Sequence, residues 1–419
     1  MGLALSLIAA AVYVAHRLHI SNVPFLIVIG MVVGPHAPSF GHFDFRFIET
    51  GSLIAFLGRM GVLFLLFYLG LESNVSRLIK AGRSIVTGGT IYIAINFITG
   101  LIFGFIAGFE VSEILIIAGV MTVSSSAIVA KILFDYKRTA NSETELILGI
   151  TMFEDVFLAV YLSLISGIVL SGASSLGGVL AGGGIALGFI VGLLLLGRLA
   201  TPLLNKVLKI SSTEVFIIVV FAGLFLLSGL GETIHVAESI GALLLGLILG
   251  ETEHSERIEL LVVPFRDLFG AIFFFGFGLS IDPFSLSEAF WWAIAAAVIS
   301  IIGVTIAGMI VGKRSKLSKI ASLNIAFTLL ARGEFSIIIV SLAAAGGLNP
   351  LLQPFAALYV LTLASASPLL AKESERVYNL SQKIVGLFAK HDDDDNDSGE
   401  DDIDTSAEPD DDRLVPKWD

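Results

Sequence analysis

Runs of apolar residues, broken at intervals by charged, Pro or Gly positions, divide most of this chain into segments long enough to be read as membrane helices. Such runs fall at about 3-20, 23-38, 52-72, 84-109, 112-133, 144-170, 176-200, 213-231, 236-250, 264-281, 288-312, 317-345 and 351-371. The pattern predicts an all-α polytopic membrane protein of about thirteen transmembrane helices. A span normally needs ~20 apolar residues, and several of these runs are shorter.

Charge between the runs sets the expected orientation. Lys and Arg cluster after the third run (Arg77, Lys80, Arg83), the fifth (Lys137, Arg138), the seventh (Lys206, Lys209), the eleventh (Lys313, Arg314, Lys316) and the last (Lys372, Arg376). The connections after the fourth, sixth, eighth, tenth and twelfth runs carry neither residue. Positive loops stay cytoplasmic, so the N-terminus is expected outside and the C-terminus in the cytoplasm of a multi-pass cell-membrane protein. Asn74, in Asn-Val-Ser, then lies in a cytoplasmic loop, and its match to a glycosylation site carries no weight.

The sequence also repeats itself. Leu63 to Leu71 (LFLLFYLGL) recurs as Ala271 to Leu279 (AIFFFGFGL), with Gly70 and Gly278 separated by 208 positions. A Gly-rich end, Ile29 to Gly34, has its counterpart in Ile240 to Gly246, with Gly30 and Gly241 separated by 211. The near-constant offset pairs a first repeat of six helices, about 3-170, with a second, about 213-371, and leaves 176-200 as a connector. An odd number of spans between equivalents inverts one repeat relative to the other, which is the architecture of many secondary transporters. Within the connector, Gly184, Gly188 and Gly192 form a small-residue stripe suited to close helix packing, in the connector itself or in a dimer.

Composition sharpens this picture at one place. The chain has 419 residues, 55% hydrophobic and 15% charged, with a formal net charge of -12 and a mean hydropathy of +0.91. All of that net charge lies in residues 391-419, which hold 14 acids against Arg413 and Lys417. A neutral membrane domain over 1-375 and an acidic, disordered cytoplasmic tail over 376-419 are therefore expected. The chain has no cysteine, which excludes disulfides and thiolate chemistry. The histidines, His36 and His235 among them, read as ordinary interfacial residues. Neither the M-G-x-x-x-S match at the N-terminus nor a secretory signal fits the apolar start.

Against this apolar background, Glu154 and Asp155 lie in the middle of a span. A carboxylate at mid-bilayer costs roughly 2.5 to 3.5 kcal/mol on insertion scales, so such acids mark ion or proton pathways. Thr151 and Asp155 share a helix face, with Glu154 turned about 100° away. Asp155 is read as holding a proton and a cation in alternation. Glu154 either bridges to Arg332 or carries a second proton.

Two other runs are interrupted by polar residues. Thr122, Ser124 and Ser125, expected to bind the ion or proton together with Asp155 and Glu154, break the fifth, and Arg332-Gly333-Glu334 breaks the twelfth; Ser126 and Glu334 are again 208 positions apart. Ser and Thr can satisfy freed backbone groups and Gly permits unwinding, so both runs are expected to be discontinuous, crossed helices. Asn324, Thr328, Arg332 and Ser336, at four-residue spacing, form a polar stripe. Arg332 needs a buried anion, for which Glu334 or Glu154 is expected, as a static pair or as part of the site.

With these residues assembled, the chain resembles the monovalent cation:proton antiporter-2 family, the Kef-type branch of the sodium/proton exchangers. The resemblance rests on Val23-Pro24 to Gly34-Pro35, Phe67 to Glu72 ending in Gly-Leu-Glu, Ser124-Ser125-Ser126-Ala127, Phe153-Glu154-Asp155 and Arg332-Gly333-Glu334-Phe335, and it covers nearly all of 1-375. It implies a sodium/proton antiporter-like fold, a homodimer in membrane lipid, and a transporter rather than an enzyme, with no cofactor and no nucleic acid. It also implies that Asp155 matches the essential ion-binding aspartate. The implied activity is exchange of a monovalent cation, K+ first, for H+ by alternating access. Na+/H+ or NH4+/H+ exchange and a gated cation channel are the alternatives. Kef proteins usually have Gln where Glu154 stands, which leaves the charge moved per cycle open. They also continue into a Rossmann-like domain, where this chain has an acidic tail. Similarity to Kht-type potassium/proton antiporter subunits, which are regulated by a separate polypeptide, implies a separate cytoplasmic regulatory subunit here.

Overall fold

The computed structural model describes residues 1-18, 21-37, 39-40, 43-44, 46-48, 51-72, 82-170, 201-233 and 238-379, together with the isolated positions 184, 188, 192, 197 and 199. Nearly every described residue is helical or joins two helices. In chain order the helices are α1 Gly2–Leu18, α2 Asn22–Val33, α3 Ser52–Glu72, α4 Arg83–Ile106, α5 Val111–Thr122, α6 Ser126–Asp135 and α7 Thr144–Leu170. They continue as α8 Thr213–Thr233, α9 Glu238–Gly250, α10 Ser255–Ser280, α11 Leu286–Arg314, α12 Lys319–Leu329, α13 Glu334–Ala345 and α14 Leu352–Lys372. One two-residue β-pair, Ser39–Phe40 with Phe43–Asp44, is antiparallel.

Eight of the described helical segments are long and apolar enough to cross a membrane, with α5 and α6 together forming one of them. A ninth is the pair α12 and α13, bent by 40° at its break. Helices α1, α2 and α9 are apolar but shorter, at 17, 12 and 13 residues. The expected connector, 176-200, lies almost entirely outside the described residues, as do His235, Asn74 and the tail from 380 on. Compactness divides the chain into Met1–Ser374 and Glu375–Asp419.

Helix α11 illustrates the inside-out patterning of these helices. Its exposed residues, Trp291, Val298, Ile302, Ile306 and Ile310, are large and apolar, while its buried ones include Ala289, Ala293, Ala296, Ser300 and Ala307. Lipid takes the bulky stripe, and small residues let neighbouring backbones approach. Helices α4, α12 and α14 pack along the small stripe.

The closest approaches are made at glycines. A Cβ on Gly30 of α2 would stand 2.3 Å from the Phe275 carbonyl oxygen of α10, and one on Gly246 of α9 would stand 2.1 Å from that of Phe67 in α3. No side chain fits at either position. Around the second crossing, Phe64, Phe67, Phe216, Leu224, Ala242 and Leu245 form a buried core. There the Phe64 ring stacks on Phe269 with centroids 5.5 Å apart, an offset geometry worth ~0.5-1.5 kcal/mol beyond burial. Arg59 of α3 meets Glu238 of α9 through a bidentate ion pair at 2.9 and 2.8 Å.

Candidate ion-binding site

Two interrupted helices meet at their breaks. Helix α5 ends at Thr122, and Val123 and Ser125 are extended (ψ 127° and 106°) before α6 begins at Ser126. Helix α12 ends at Leu329, and the chain unwinds through Gly333 before α13 begins at Glu334. The Ser125 amide donates to the Ala331 carbonyl at 2.9 Å, one strand-like bond between the two unwound segments. Ser336 Oγ donates to the Val120 carbonyl at 3.0 Å. A Cβ on Gly333 would lie 2.6 Å from the Ser125 side chain, so this contact needs glycine.

The breaks leave helix ends in an apolar interior, where unpaired carbonyls are costly. Arg332, fully buried, answers this need. Its Nη2 donates to the Met121 carbonyl near the end of α5 at 2.6 Å, and its Nη1 to Leu329 at 2.9 Å and Leu330 at 3.3 Å at the end of α12. Tyr92 of α4 gives its hydroxyl to the same Leu329 carbonyl at 2.7 Å. The guanidinium thus sits between two C-terminal helix ends, where positive charge is favoured. Among the described residues Arg332 forms no salt bridge with Glu334 or Glu154; its hydrogen bonds go to backbone carbonyls, and the Glu154 carboxylate acts on it electrostatically. Its Nε is buried without a partner.

Glu334 opens α13, where the helix N-terminus favours a carboxylate, and accepts from Ser125 Oγ at 3.1 Å. Ser124 Oγ donates to Glu154 Oε2. The other oxygen, Glu154 Oε1, is buried and unpartnered. Asp155, 6% exposed against 1% for Glu154, keeps a small accessible edge. Among the described residues the Asp155 carboxylate has no hydrogen-bond partner. The carboxylates of Glu72, Glu154 and Glu334 act on it electrostatically. Thr151 Oγ1, on the same face, bonds back to Leu148.

A cavity of about 680 Å³ leads to this place, lined by Tyr68, Glu72, Lys131, Arg266, Asp267 and Glu334 among others. Glu334 both lines it and belongs to the break. Sequence reasoning had not placed Glu72, Lys131, Arg266 or Asp267 near the site, although the Arg266-Asp267 pair inside an apolar run is a readable signal of the same kind as Glu154-Asp155. Arg266 stacks over the Tyr68 ring at 4.0 Å and bonds Asp267 at 2.6 Å.

The polar stripe comes apart in the structure. Ser336 and Arg332 belong to the break, and Thr328 Oγ1 is buried beside it without a partner. Asn324 does not: its amide nitrogen donates to Glu143 at 2.8 Å, and its oxygen accepts from Ser374. Four-residue spacing places side chains on one face only while the helix continues, and α12 stops at Leu329. Thr122 bonds back to Ala118 at 2.6 Å and caps its own helix.

Similarity to known proteins agrees with this geometry. Residues 3-372 match the transmembrane sodium/hydrogen exchanger family. The chain belongs to that family. It is 61% identical to the K(+)/H(+) antiporter subunit KhtU of Bacillus subtilis over 92% of this chain and 95% of that protein. It is 31% identical to the ammonium/H(+) antiporter subunit AmhT of Alkalihalophilus pseudofirmus, over 93% and 95% respectively. The sodium proton antiporter MjNhaP1 of Methanocaldococcus jannaschii shares the fold, with a TM-score of 0.66 at 18% identity over 89% of this chain and 96% of that one. The protein is thus a multi-pass cation/proton exchanger, not an enzyme, with an NhaP1-like fold.

Proposed function

We propose that this exchanger moves K+ against H+ across the cell membrane by alternating access, with Asp155 binding cation and proton in competition. The observation that carries this is the setting of Asp155: buried, without a hydrogen-bond partner, beside two interrupted helices, and flanked by Glu72 and Glu334 of an open cavity. A carboxylate left free of protein donors is available to a dehydrated cation or to a proton, and either one neutralises it. A neutral loaded site crosses a hydrophobic gate that a bare carboxylate does not cross, which ties the two fluxes together. K+ is chosen because the relative at 61% identity is named for it. Ammonium is the second reading, favoured by the name of the relative at 31%.

Two inverted six-helix repeats in thirteen spans are supported by reciprocal contacts. Gly30 of α2 and Gly34, just past its end, lie on Phe275 and Leu279 of α10, while Gly246 and Gly250 of α9 lie on Phe67 and Leu71 of α3. Phe67 and Leu71 precede Phe275 and Leu279 by 208 positions, the offset the repeat requires. The glycines differ by 216 rather than the 211 read from sequence, because Gly241 packs against Leu227 of α8 instead.

The exterior N-terminus and cytoplasmic C-terminus rest on loop charge, and the cavity then opens to the cytoplasm. A homodimer is supported by Gly184, Gly188 and Gly192, at each of which an added Cβ would meet none of the described residues within 4 Å. A separate regulatory subunit is supported by the word "subunit" in the names of both relatives. Glu154 accepts from Ser124 and forms no salt bridge with Arg332, which acts on it electrostatically; an acid so placed supports a second titrating group and hence electrogenic exchange.

The test is cation-dependent proton movement in proteoliposomes holding a preset pH gradient, with K+, Na+, Rb+ and NH4+ compared. Dissipation by K+ supports the reading; no cation-dependent dissipation overturns it.

A further inference from the structure

Away from the ion site, at the N-terminal end of α7, a buried carboxylate has no place in the mechanism so far. Glu143 is 3% exposed and stands immediately before α7. Its Oε1 accepts from Asn141 Nδ2 at 3.0 Å and from Asn324 Nδ2 at 2.8 Å, and its Oε2 accepts from Ser142 Oγ at 3.3 Å. A carboxylate only accepts, so the Asn324 amide must turn its nitrogen toward Glu143. Its oxygen is then left for a donor, which Ser374 Oγ supplies. Each polar atom of Asn324 is thereby used, and its orientation is fixed.

Three elements are joined by this cluster. Glu143 begins α7, Asn324 is the sixth residue of α12, and Ser374 follows α14. The foot of α7 is closed further by Ile147 N donating to the Glu143 carbonyl at 2.9 Å and by Thr144 Oγ1 donating to the Arg138 carbonyl at 2.5 Å. Arg138, one nitrogen of which is buried without a partner, shares the same turn. Helix α7 carries Asp155 and helix α12 runs into the break held by Arg332, so the two halves of the ion site hang from elements that meet here.

We propose that Glu143 is a positioning residue for the ion site: through Asn324 it fixes the foot of α7 on α12 and thereby sets where the Asp155 carboxylate stands against the break. The inference rests on the reading of Asp155 as the ion-binding acid. Asp155 is 12 residues beyond Glu143, roughly 18 Å along a helix rising 1.5 Å per residue. A tilt of about 5° at the foot therefore moves the carboxylate by about 1.5 Å, and displacements of that order cost up to a hundredfold in well-oriented sites. The Glu143 carboxylate also acts electrostatically on Arg138, but it is the oxygen accepting from Asn324 that ties α7 to α12. Gln retains an acceptor, and Ala retains none.

The experiment measures apparent KM for K+ and maximal rate of K+-dependent proton movement in proteoliposomes of the full chain, with melting temperature as the folding control. Glu143→Ala and Asn324→Ala are each expected to raise KM at least fivefold with maximal rate within threefold. Glu143→Gln is expected to keep KM within twofold of the parent, and the double Ala variant to equal either single one. Unchanged KM in both Ala variants overturns the proposal, as do single effects that multiply in the double variant or a Gln variant as defective as Ala. Should Glu143→Ala not fold, Asn324→Ala and Asn324→Asp, which removes the amide donor at constant size, decide by the same criterion. Asp155→Asn in the same assay reports on the parent reading: persistent exchange there refutes the ion site, whereas loss there with unchanged KM in the Ala variants refutes only the role of Glu143.

Discussion

The backbone amide of Ser125 is bonded to the carbonyl of Ala331 at 2.9 Å, so two interrupted apolar helices are tied together at their breaks. Around that bond Gly333, Arg332, Ser336 and Tyr92 each perform one identifiable task, and each task can be removed singly.

Gly333→Ala places a methyl group 2.6 Å from the Ser125 side chain. The two unwound segments must separate or Ser125 must turn, and overpacking of this kind costs typically ~1-3 kcal/mol. Transport is expected to fall at least tenfold while the protein still inserts and purifies. Solution size and exchange rate of the purified variant check this.

Arg332→Met leaves the carbonyls of Met121, Leu329 and Leu330 without the guanidinium. An unpaired buried acceptor costs about 1-3 kcal/mol, so a melting point lower by several degrees is expected together with loss of exchange. Arg332→Lys, a point charge without the planar fork, is expected to recover part of the stability and little of the transport. Thermal unfolding in detergent, read beside the vesicle assay, separates these outcomes. Had Arg332 been the partner of Glu334, Glu334→Gln would destabilise as strongly; here it is expected to leave the melting point within a degree or two.

Glu154→Gln keeps an oxygen able to accept from Ser124 Oγ. Exchange is expected to continue within about tenfold of the parent, whereas its dependence on membrane potential is expected to weaken by one elementary charge, ~2.3 kcal/mol per 100 mV. Clamping the potential with a second ionophore measures this directly.

How far the letters of the chain carry depends on what makes each contact. The interruptions at Ser124-Ser125 and Arg332-Gly333 were legible because polar residues and glycine stand out in apolar runs, and the structure breaks both helices there. The hydrogen-bond partners of Arg332 are not legible, since a backbone carbonyl has no letter of its own. Asn324 was read into the site by helical periodicity, which the break at 330-333 invalidates. Its true partners, Glu143 and Ser374, come from distant parts of the chain that only the fold brings together. The proposed repeat is most legible in α3 and α10, whose Phe- and Gly-rich ends are distinctive. In α2 and α9 several glycines compete, and only the crossing contact says which of them meets the backbone of α10 or α3.

Asp155 itself is proposed to carry the cation and the proton. Asp155→Asn preserves size and hydrogen-bonding capacity but cannot bind a proton and a cation in turn. In proteoliposomes with a preset pH gradient, K+ added to the parent protein is expected to dissipate the gradient, and K+ added to Asp155→Asn, folded and melting near the parent temperature, is expected to do nothing. K+-dependent proton movement that persists in Asp155→Asn would contradict the account.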